Sequence, residues 1–231
     1  MILKGRLGLI AKKVPQCRLV SDIGTDHAYI PIYLVSEGRC EKALALDVKQ
    51  GPIEAAARNI KANCLEGLIE TRIGDGLEPV KAGEEDVIII AGMGGILIKD
   101  IINRAFDRAS KANLLILQPM NAVEILREWL YKNGFEIIDE ELEAEGSKLY
   151  NVMSVKWTGN IADEEEIFYY IGKRLVEKKD PLLERLLIKR IKQLDAAVKQ
   201  MDNAGGNKLE NRKKYSWLSD SMNQILNSLK A

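Results

Sequence analysis

The chain has 231 residues, 46% of them hydrophobic, enough to bury the core of one α/β domain and a smaller appendage. Its 34 basic residues are balanced by 34 acidic ones, so no global field advertises a polyanionic partner. Three scattered cysteines and a single histidine exclude a Cys-x-x-Cys metal cage and a disulfide framework, and suit a reducing compartment.

Leu19 to Gly24 reads as a strand and His27 to Glu37 as a helix. Ala43 to Asp47 is a second strand, and Pro52 to Asn63 a helix with proline in its first turn. Ile69 to Gly74 is a third strand, and Asp86 to Ala91 a fourth, followed by a glycine-rich turn and a helix to about Arg108. Asn113 to Gln118 is a fifth strand, and Asn121 to Lys132 a helix. After Gly134 the pattern changes: Phe135 to Asp139 and Tyr150 to Trp157 are strands with no long helix between them. Strands alternating with helices predict a parallel doubly wound sheet, and the two closing strands predict an antiparallel pair at one edge. That ending belongs to sheets of the methyltransferase type rather than the dinucleotide-binding type.

The tail has another rhythm. Leu187, Ile191, Leu194, Val198 and Met201 form one heptad seam, and Tyr215, Leu218, Met222, Ile225 and Leu229 a second. Asn203 to Asn207 lies between them as a glycine-bearing turn, so the spacing predicts an antiparallel helical hairpin. Its narrow seams and charged flanks favour projection beyond the sheet domain over packing on the sheet as extra layers. The expected domains are residues 1–157 and 158–231. The first carries 20 basic against 23 acidic residues and the second 14 against 11, so the neutral total hides a mild dipole.

No apolar stretch is long enough to span a bilayer; the longest, Val87 to Ile98, is interrupted by glycines. The N-terminal residues lack the apolar core of a signal peptide, so a soluble cytoplasmic protein is expected, with neither membrane nor metal as partner and a monomer as its state.

In an open parallel sheet, ligands bind at the carboxyl ends of the strands. Four successive ends here carry acids or glycines. After the first strand comes Asp22-Ile-Gly24-Thr-Asp26-His27, where Gly24 allows a tight turn and close backbone approach. The series is not G-x-G-x-x-G, and acids would repel a pyrophosphate while suiting a sulfonium and an ammonium group. Asp22 and Asp26 are therefore placed for the methionine part of S-adenosylmethionine (SAM). Asp47 ends the second strand and can accept ribose hydroxyls, or simply cap the following helix. At Gly74-Asp75-Gly76, Asp75 can accept from an adenine amino group, or the segment is a plain turn. Ala91-Gly-Met93-Gly94-Gly95 offers close backbone approach, with Met93 as an apolar wall; a glycine run opening a helix also suits phosphate. His27 lies within the candidate turn, with binding, catalytic and structural roles all open. Gln118-Pro119-Met-Asn121 ends the fifth strand, its amides either structural or turned toward a substrate.

These residues resemble the bacterial TrmK family, which methylates N1 of adenine 22 in transfer RNA. The resemblance rests on Arg6-Leu7, Ile10-Ala11, Val14-Pro15, Asp22 to Pro31, Asp47-Val48, Gly51-Pro52, Asn59-Ile60, Gly74 to Gly76, Ala91 to Gly95 and Gln118-Pro119. It runs from the N-terminus to about Trp157 and more loosely into the tail, where the family also has a coiled-coil-like extension. It implies a class I SAM-methyltransferase (Rossmann-like) α/β sheet with a C-terminal helical hairpin. It also implies Asp22, Gly24, Asp26 and His27 around the methionine part, Asp47 on the ribose, Asp75 and Gly76 on the adenine, and Met93 and Gly94 between cofactor and target base. Substrate contacts fall to Arg6, Asn59, Gln118 and Pro119.

Adenine N1 has an in-plane lone pair, so no general base is needed to create the nucleophile. Asp26 is the expected acceptor for the charge or the N6 proton that methylation leaves, with His27 and Tyr29 in support. Between Pro181 and Lys214 nine basic residues face four acids. Among them Arg185, Lys189, Arg190 and Lys192 are expected to contact the tRNA backbone; a solvated coiled-coil face is the bland alternative. The rival readings are a methyltransferase of a non-RNA substrate and a SAM-binding adaptor without turnover. A nicotinamide-dependent oxidoreductase is disfavoured by the missing G-x-G-x-x-G.

Overall fold

The structure is a computed structural model that describes residues 2–203 and 209–229. It forms two compact units, Met1–Glu164 and Glu165–Ala231.

In the first unit, α1 (Gly5–Lys13) leads into β1 (Cys17–Ile23), α2 (Tyr29–Ser36), β2 (Cys40–Asp47), α3 (Gln50–Ala62) and β3 (Ile69–Ile73). Then follow β4 (Val87–Met93), α4 (Gly95–Arg104), α5 (Phe106–Ala109), β5 (Leu114–Pro119) and α6 (Val123–Lys132). The hairpin β6 (Phe135–Glu145) and β7 (Lys148–Trp157) closes the unit. The seven strands form one sheet in the order β3-β2-β1-β4-β5-β7-β6. β1 to β5 are parallel, and β7 inserts antiparallel between β5 and β6. This is the Rossmann-like methyltransferase sheet.

The sequence explains the order of burial. Val87-Ile-Ile-Ile90 and Leu114-Leu-Ile-Leu117 are unbroken apolar runs, and all eight residues are buried, as strands covered on both faces require. β6, at the edge, alternates instead: Ile137 and Leu142 are buried between partly or fully exposed neighbours.

Several elements differ from the sequence reading. Residues 5–13, too short a stretch for a clear periodic signal, form a helix that buries Leu9, Ile10 and Ala11. α2 begins at Tyr29 because Ala28 adopts a left-handed conformation (φ 55°), so His27 stays in the loop. The helix expected to run to Arg108 breaks at Ala105 (φ −118°, ψ 43°) into α4 and α5. β6 continues past Asp139 to Glu145, because a register shift near Ile138 keeps the ladder going after the alternation falters.

The second unit contains α7 (Glu166–Ile171), α8 (Lys173–Glu177), α9 (Leu183–Asn203) and α10 (Leu209–Ser228). The first two went unread, being too short for a periodic signal. α9 and α10 are antiparallel: Ser219 Oγ donates to Asp195 Oδ1 at 2.7 Å, and Arg212 pairs with Asp202 at 2.5 Å. Of the turn expected at Asn203 to Asn207, residues 204–207 lie outside the described residues.

Candidate functional site

The loop after β1 is built by four local constraints. Gly24 has φ +77°, and its N–H and that of Thr25 both donate to the Leu46 carbonyl at 2.8 Å, tying the turn to β2. A Cβ at Gly24 would collide with the Met93 methyl, so that side chain lies directly over the glycine. Thr25 Oγ1 accepts the Ala28 N–H at 3.2 Å, and Asn59 Nδ2 from α3 donates to the His27 carbonyl at 3.0 Å. What the loop then presents is Asp26 and His27. His27 Nε2 lies 3.3 Å from Asp26 Oδ2, and its ring stacks on Tyr29 with centroids 5.1 Å apart.

A cavity of about 320 Å³ opens here, lined chiefly by Arg6, Asp22, Asp26, His27, Tyr29 and Gly92. Asp22 is 6% exposed. Burial pushes its carboxyl up to about 6, against the Thr25 hydroxyl that lowers it, and neighbouring Asp47 raises it further. Arg6 is anchored on the other side. Its Nη1 donates to Gln118 Oε1 at 3.1 Å, an oxygen that also accepts the Gly92 N–H at 3.1 Å. The guanidinium lies 5.7 Å over the Tyr150 ring.

The remaining strand ends are more mixed. Asp47 accepts the Lys49 N–H at 2.7 Å, so one of its oxygens shapes the turn into α3. Asp75 is held by Arg104 through two hydrogen bonds, 2.5 and 3.2 Å. Gly76 has φ +56°, with Ile101 closing on the space where a Cβ would stand. The glycine run after β4 has a packing cause: Gly95 donates to the Asn121 carbonyl at 2.9 Å, and side chains at Gly94 or Gly95 would meet Asn121 and Ala122. Two loops cross there in backbone contact, which accounts for the run without a phosphate.

A family model described as a methyltransferase domain matches residues 3–153. A tRNA (adenine(22)-N(1))-methyltransferase from Bacillus subtilis is 34% identical over 225 residues, covering 95% of this chain and 94% of its own. The chain belongs to the TrmK family. Among solved structures, the B. subtilis m1A22 tRNA methyltransferase TrmK superposes with TM-score 0.84 at 32% identity, covering 99% of this chain and 98% of its own. M. capricolum TrmK, solved with S-adenosyl-homocysteine, superposes with TM-score 0.79 at 27% identity, covering 100% and 99%. A Streptococcus pneumoniae structure in complex with S-adenosyl-L-methionine gives TM-score 0.85 at 31% identity, covering 98% and 100%.

In this member of the TrmK family, six of the sequence-derived residues, Arg6, Asp22, Gly24, Asp26, His27 and Tyr29, share one cavity wall. Asp47, Asp75, Gly76, Met93 and Gly94 occupy the neighbouring strand ends, outside that lining. Asn59 and Gln118 act from behind, through the His27 carbonyl and through Arg6 and Gly92, while Pro119 is buried at the end of β5. Arg185, Lys189 and Lys192 are exposed on α9 at i, i+4 and i+7, one stripe of the helix. Arg190 departs from it: half-buried, it sits on the flank of the packed face, a position set by helical periodicity. Thr25, Glu145 and Tyr150 were missed. Thr25 sat unremarked inside a motif already read, whereas Glu145 and Tyr150 reach Arg6 from more than 130 residues away, and only the fold supplies that contact.

Among the described residues no helix is long and apolar enough to cross a membrane, and no cluster of His, Cys, Asp or Glu is arranged to hold a metal.

Proposed function

We propose that this chain transfers the methyl group of SAM to N1 of adenine 22 in tRNA. The observation that carries the reading is end-to-end likeness, 34% identity over 95% of the chain, to a tRNA (adenine(22)-N(1))-methyltransferase. The cavity's chemistry supports it. SAM brings a methyl group on a sulfonium, an α-ammonium and an adenosine, and the residues present fit such a cation. Among the described residues Asp22, Asp26 and Asp47 form no ion pair with lysine or arginine, and Asp22 is a buried carboxylate whose ionisation a bound cation favours. Gly24, with φ +77°, makes the tight turn that brings Asp22 and Asp26 to one cavity wall, with Met93 packed over it.

In this reading Asp22, Gly24, Asp26 and His27 hold the methionine part. Asp47 takes the ribose hydroxyls with its remaining acceptor sites. Asp75 and Gly76 meet the adenine, Asp75 sharing a carboxylate that has about four lone-pair sites with Arg104. Met93 and Gly94 separate donor from target base. N1 attacks in line, so the protein's work is positioning and electrostatics. Asp26, oriented by His27, accepts from the N6 amino group and offsets the charge left on the methylated base, and Tyr29 supports the base. Residues 1–157 act as the catalytic domain and residues 158–231 as the RNA-positioning domain, Arg185, Lys189, Arg190 and Lys192 meeting backbone phosphates. A monomer in the cytoplasm completes the proposal.

The test is incubation with labelled SAM and unmodified tRNA, followed by nuclease digestion and mass spectrometry. N1-methyladenosine at position 22 is expected. SAM binding without label in any RNA would overturn the reading in favour of a non-RNA substrate or an adaptor without turnover.

A further inference from the structure

Asn121 stands two residues before α6 and is exposed. An asparagine ahead of a helix ordinarily caps it or takes the left-handed turn into it. This one does neither. Ala122 occupies the N-cap position without a side-chain cap bond, and itself adopts the left-handed conformation (φ 47°, ψ 40°) that alanine rarely takes. The Asn121 carboxamide forms no hydrogen bond with any described residue, although its backbone is tightly held. The Met120 N–H donates to the Met93 carbonyl at 2.8 Å and the Gly95 N–H to the Asn121 carbonyl at 2.9 Å, which pins the loop after β5 to the end of β4. A Cβ at Gly94 would stand 2.9 Å from Asn121 Oδ1, so the carboxamide lies against that glycine.

Its position belongs to neither half of the donor. The methionine part is assigned to the cavity after β1, whose lining reaches Ala91 and Gly92 on β4 but includes nothing between residues 118 and 122. The acids assigned to the nucleoside, Asp47 and Asp75, follow β2 and β3, on the far side of β1. β4 lies between β1 and β5, so the ends of those two strands flank Met93 and Gly94 from opposite sides. At one strand spacing per step they are roughly 10 Å apart, room for a purine with a hydrogen-bonding group at each side. Met120, Ile96 and Leu97 are exposed next to the crossing, apolar surface that suits the face of a heterocycle.

Adenine leaves one edge for a partner there. Methylation commits N1 to the methyl group and the adjacent N6 proton to Asp26. What remains is N7 and the second N6 proton, an acceptor beside a donor. A carboxamide is the complement: Oδ1 accepts from N6 and Nδ2 donates to N7. Guanine presents two acceptors along the same edge, so the pair discriminates against it.

We propose that Asn121 reads the target adenine through its N6–N7 edge and so determines base specificity, leaving N1 turned to the donor. The assignment rests on the tRNA-methyltransferase reading above. It is tested with a pair of tRNAs, carrying adenosine or 7-deazaadenosine at position 22, which differ only in N7 against C–H. Methyl-transfer kcat/KM is measured on both for the wild type, Asn121→Ala and Asn121→Asp, with SAM affinity by calorimetry and melting temperature alongside. The wild type is expected to lose roughly three- to tenfold on the deaza substrate. Asn121→Ala is expected to lose about ten- to a hundredfold on adenosine. It treats the two tRNAs within about twofold of each other, since the contact that tells them apart has gone. Asn121→Asp keeps an acceptor for N6 but sets a carboxylate oxygen against the N7 lone pair, so its preference inverts toward the deaza substrate. SAM affinity stays within about twofold and melting temperature within about 2 °C, because the carboxamide bonds to nothing in the fold. Equal wild-type rates on the two tRNAs, unchanged kcat/KM in Asn121→Ala, or a deaza penalty that survives Asn121→Ala each overturn the assignment. Weakened SAM affinity in Asn121→Ala with the deaza penalty intact gives the side chain to the donor and overturns it as well. No N1-methyladenosine from the wild type on ordinary tRNA sinks the substrate reading and this assignment together.

Discussion

The two ends of the parallel sheet make an instructive pair. At the amino end a cavity of about 570 Å³ is lined by Lys12, Lys13, Asp86, Asn113, Lys156 and their neighbours; at the carboxyl end the cavity is smaller, about 320 Å³. Size points to the wrong end. At the amino end the polar groups have already satisfied one another. Asp86 accepts the N–H groups of Arg18 and Leu19 at 2.8 and 3.1 Å and the Asn113 amide at 2.8 Å. Burial pulls the Lys13 ammonium down, but Asp139 and Glu141 together hold it above its ordinary value. At the carboxyl end Asp22 is buried with no cation in ion-pair reach among the described residues, and the molecule tolerates the cost. Unspent charge, rather than volume, distinguishes a place that awaits a ligand.

The difference predicts opposite signs for stability against pH. Asp22 titrates at about 6 when folded and near 3.8 when unfolded, so the folded state holds the extra proton between those values. Its contribution is therefore fully present below pH 4 and lost as pH rises through 6, a difference of up to about 3 kcal/mol at 1.36 kcal/mol per tenfold. Asp22→Asn removes that loss. It is expected to raise apo-protein stability at pH 7 by about 1–3 kcal/mol while weakening SAM binding at least roughly a hundredfold. Denaturant melts and calorimetry at pH 4 and pH 7 check both; a variant that is destabilised and still binds SAM would break the comparison. The same reasoning has wild-type SAM affinity falling about tenfold per pH unit below pH 6.

Gly24→Ala has the next largest effect. Its φ of +77° costs an alanine about 1–2 kcal/mol, and the added methyl enters the space held by Met93. SAM affinity is expected to drop at least about tenfold with only modest loss of melting temperature. An affinity within twofold of the wild type would show that the turn's tightness has no bearing on the ligand.

The strands that build this end, and the clustering of Asp22, Asp26 and His27 after β1, were legible in the sequence. Alternating runs gave the parallel strands, and acids at Asp22 and Asp26 with no G-x-G-x-x-G gave the preference for a cation over a pyrophosphate. Less visible was anything that depends on two distant segments meeting. The glycines at Gly94 and Gly95 look like an anion cradle from their spacing, and only the crossing of Asn121 and Ala122 reveals them as packing glycines. α1 carried its apolar residues too briefly to register as periodic, and its cap lies on another strand. Arg190 was grouped with Arg185, Lys189 and Lys192 by charge; helical geometry divides them. Asp75 was read without Arg104, its partner from α4.

At the amino end the same kind of substitution acts in reverse. Burial pushes Asp86 up, but the bonds from Asn113, Leu19 and Arg18 together outweigh it and leave its carboxyl below the ordinary value. The stability it contributes is therefore present above pH 4 and lost as pH falls through the lowered value. Asp86→Asn is expected to destabilise the protein by about 1–2 kcal/mol at pH 7, a deficit that shrinks as pH falls through the lowered value, with SAM affinity unchanged. A melt that moved upward, as for Asp22→Asn, would erase the contrast between the ends.

The smallest expected effect is the sharpest check on whether the larger cavity is idle. Lys156 is exposed on β7 and lines that cavity. A surface ammonium of this kind contributes within about 0.5 kcal/mol of nothing, and the strand loses no ladder bond when the side chain is cut to alanine. Lys156→Ala should therefore leave the melting temperature within about 2 °C and SAM affinity and kcat within error. Its KM for tRNA separates the two ends. If the amino end has no part in recognition, KM and its salt dependence stay where they were. A KM that rises with a salt slope smaller by about one means the RNA backbone reaches this end as well. The comparison would then have to be redrawn as one between a donor site and an RNA site, rather than between a working end and a finished one.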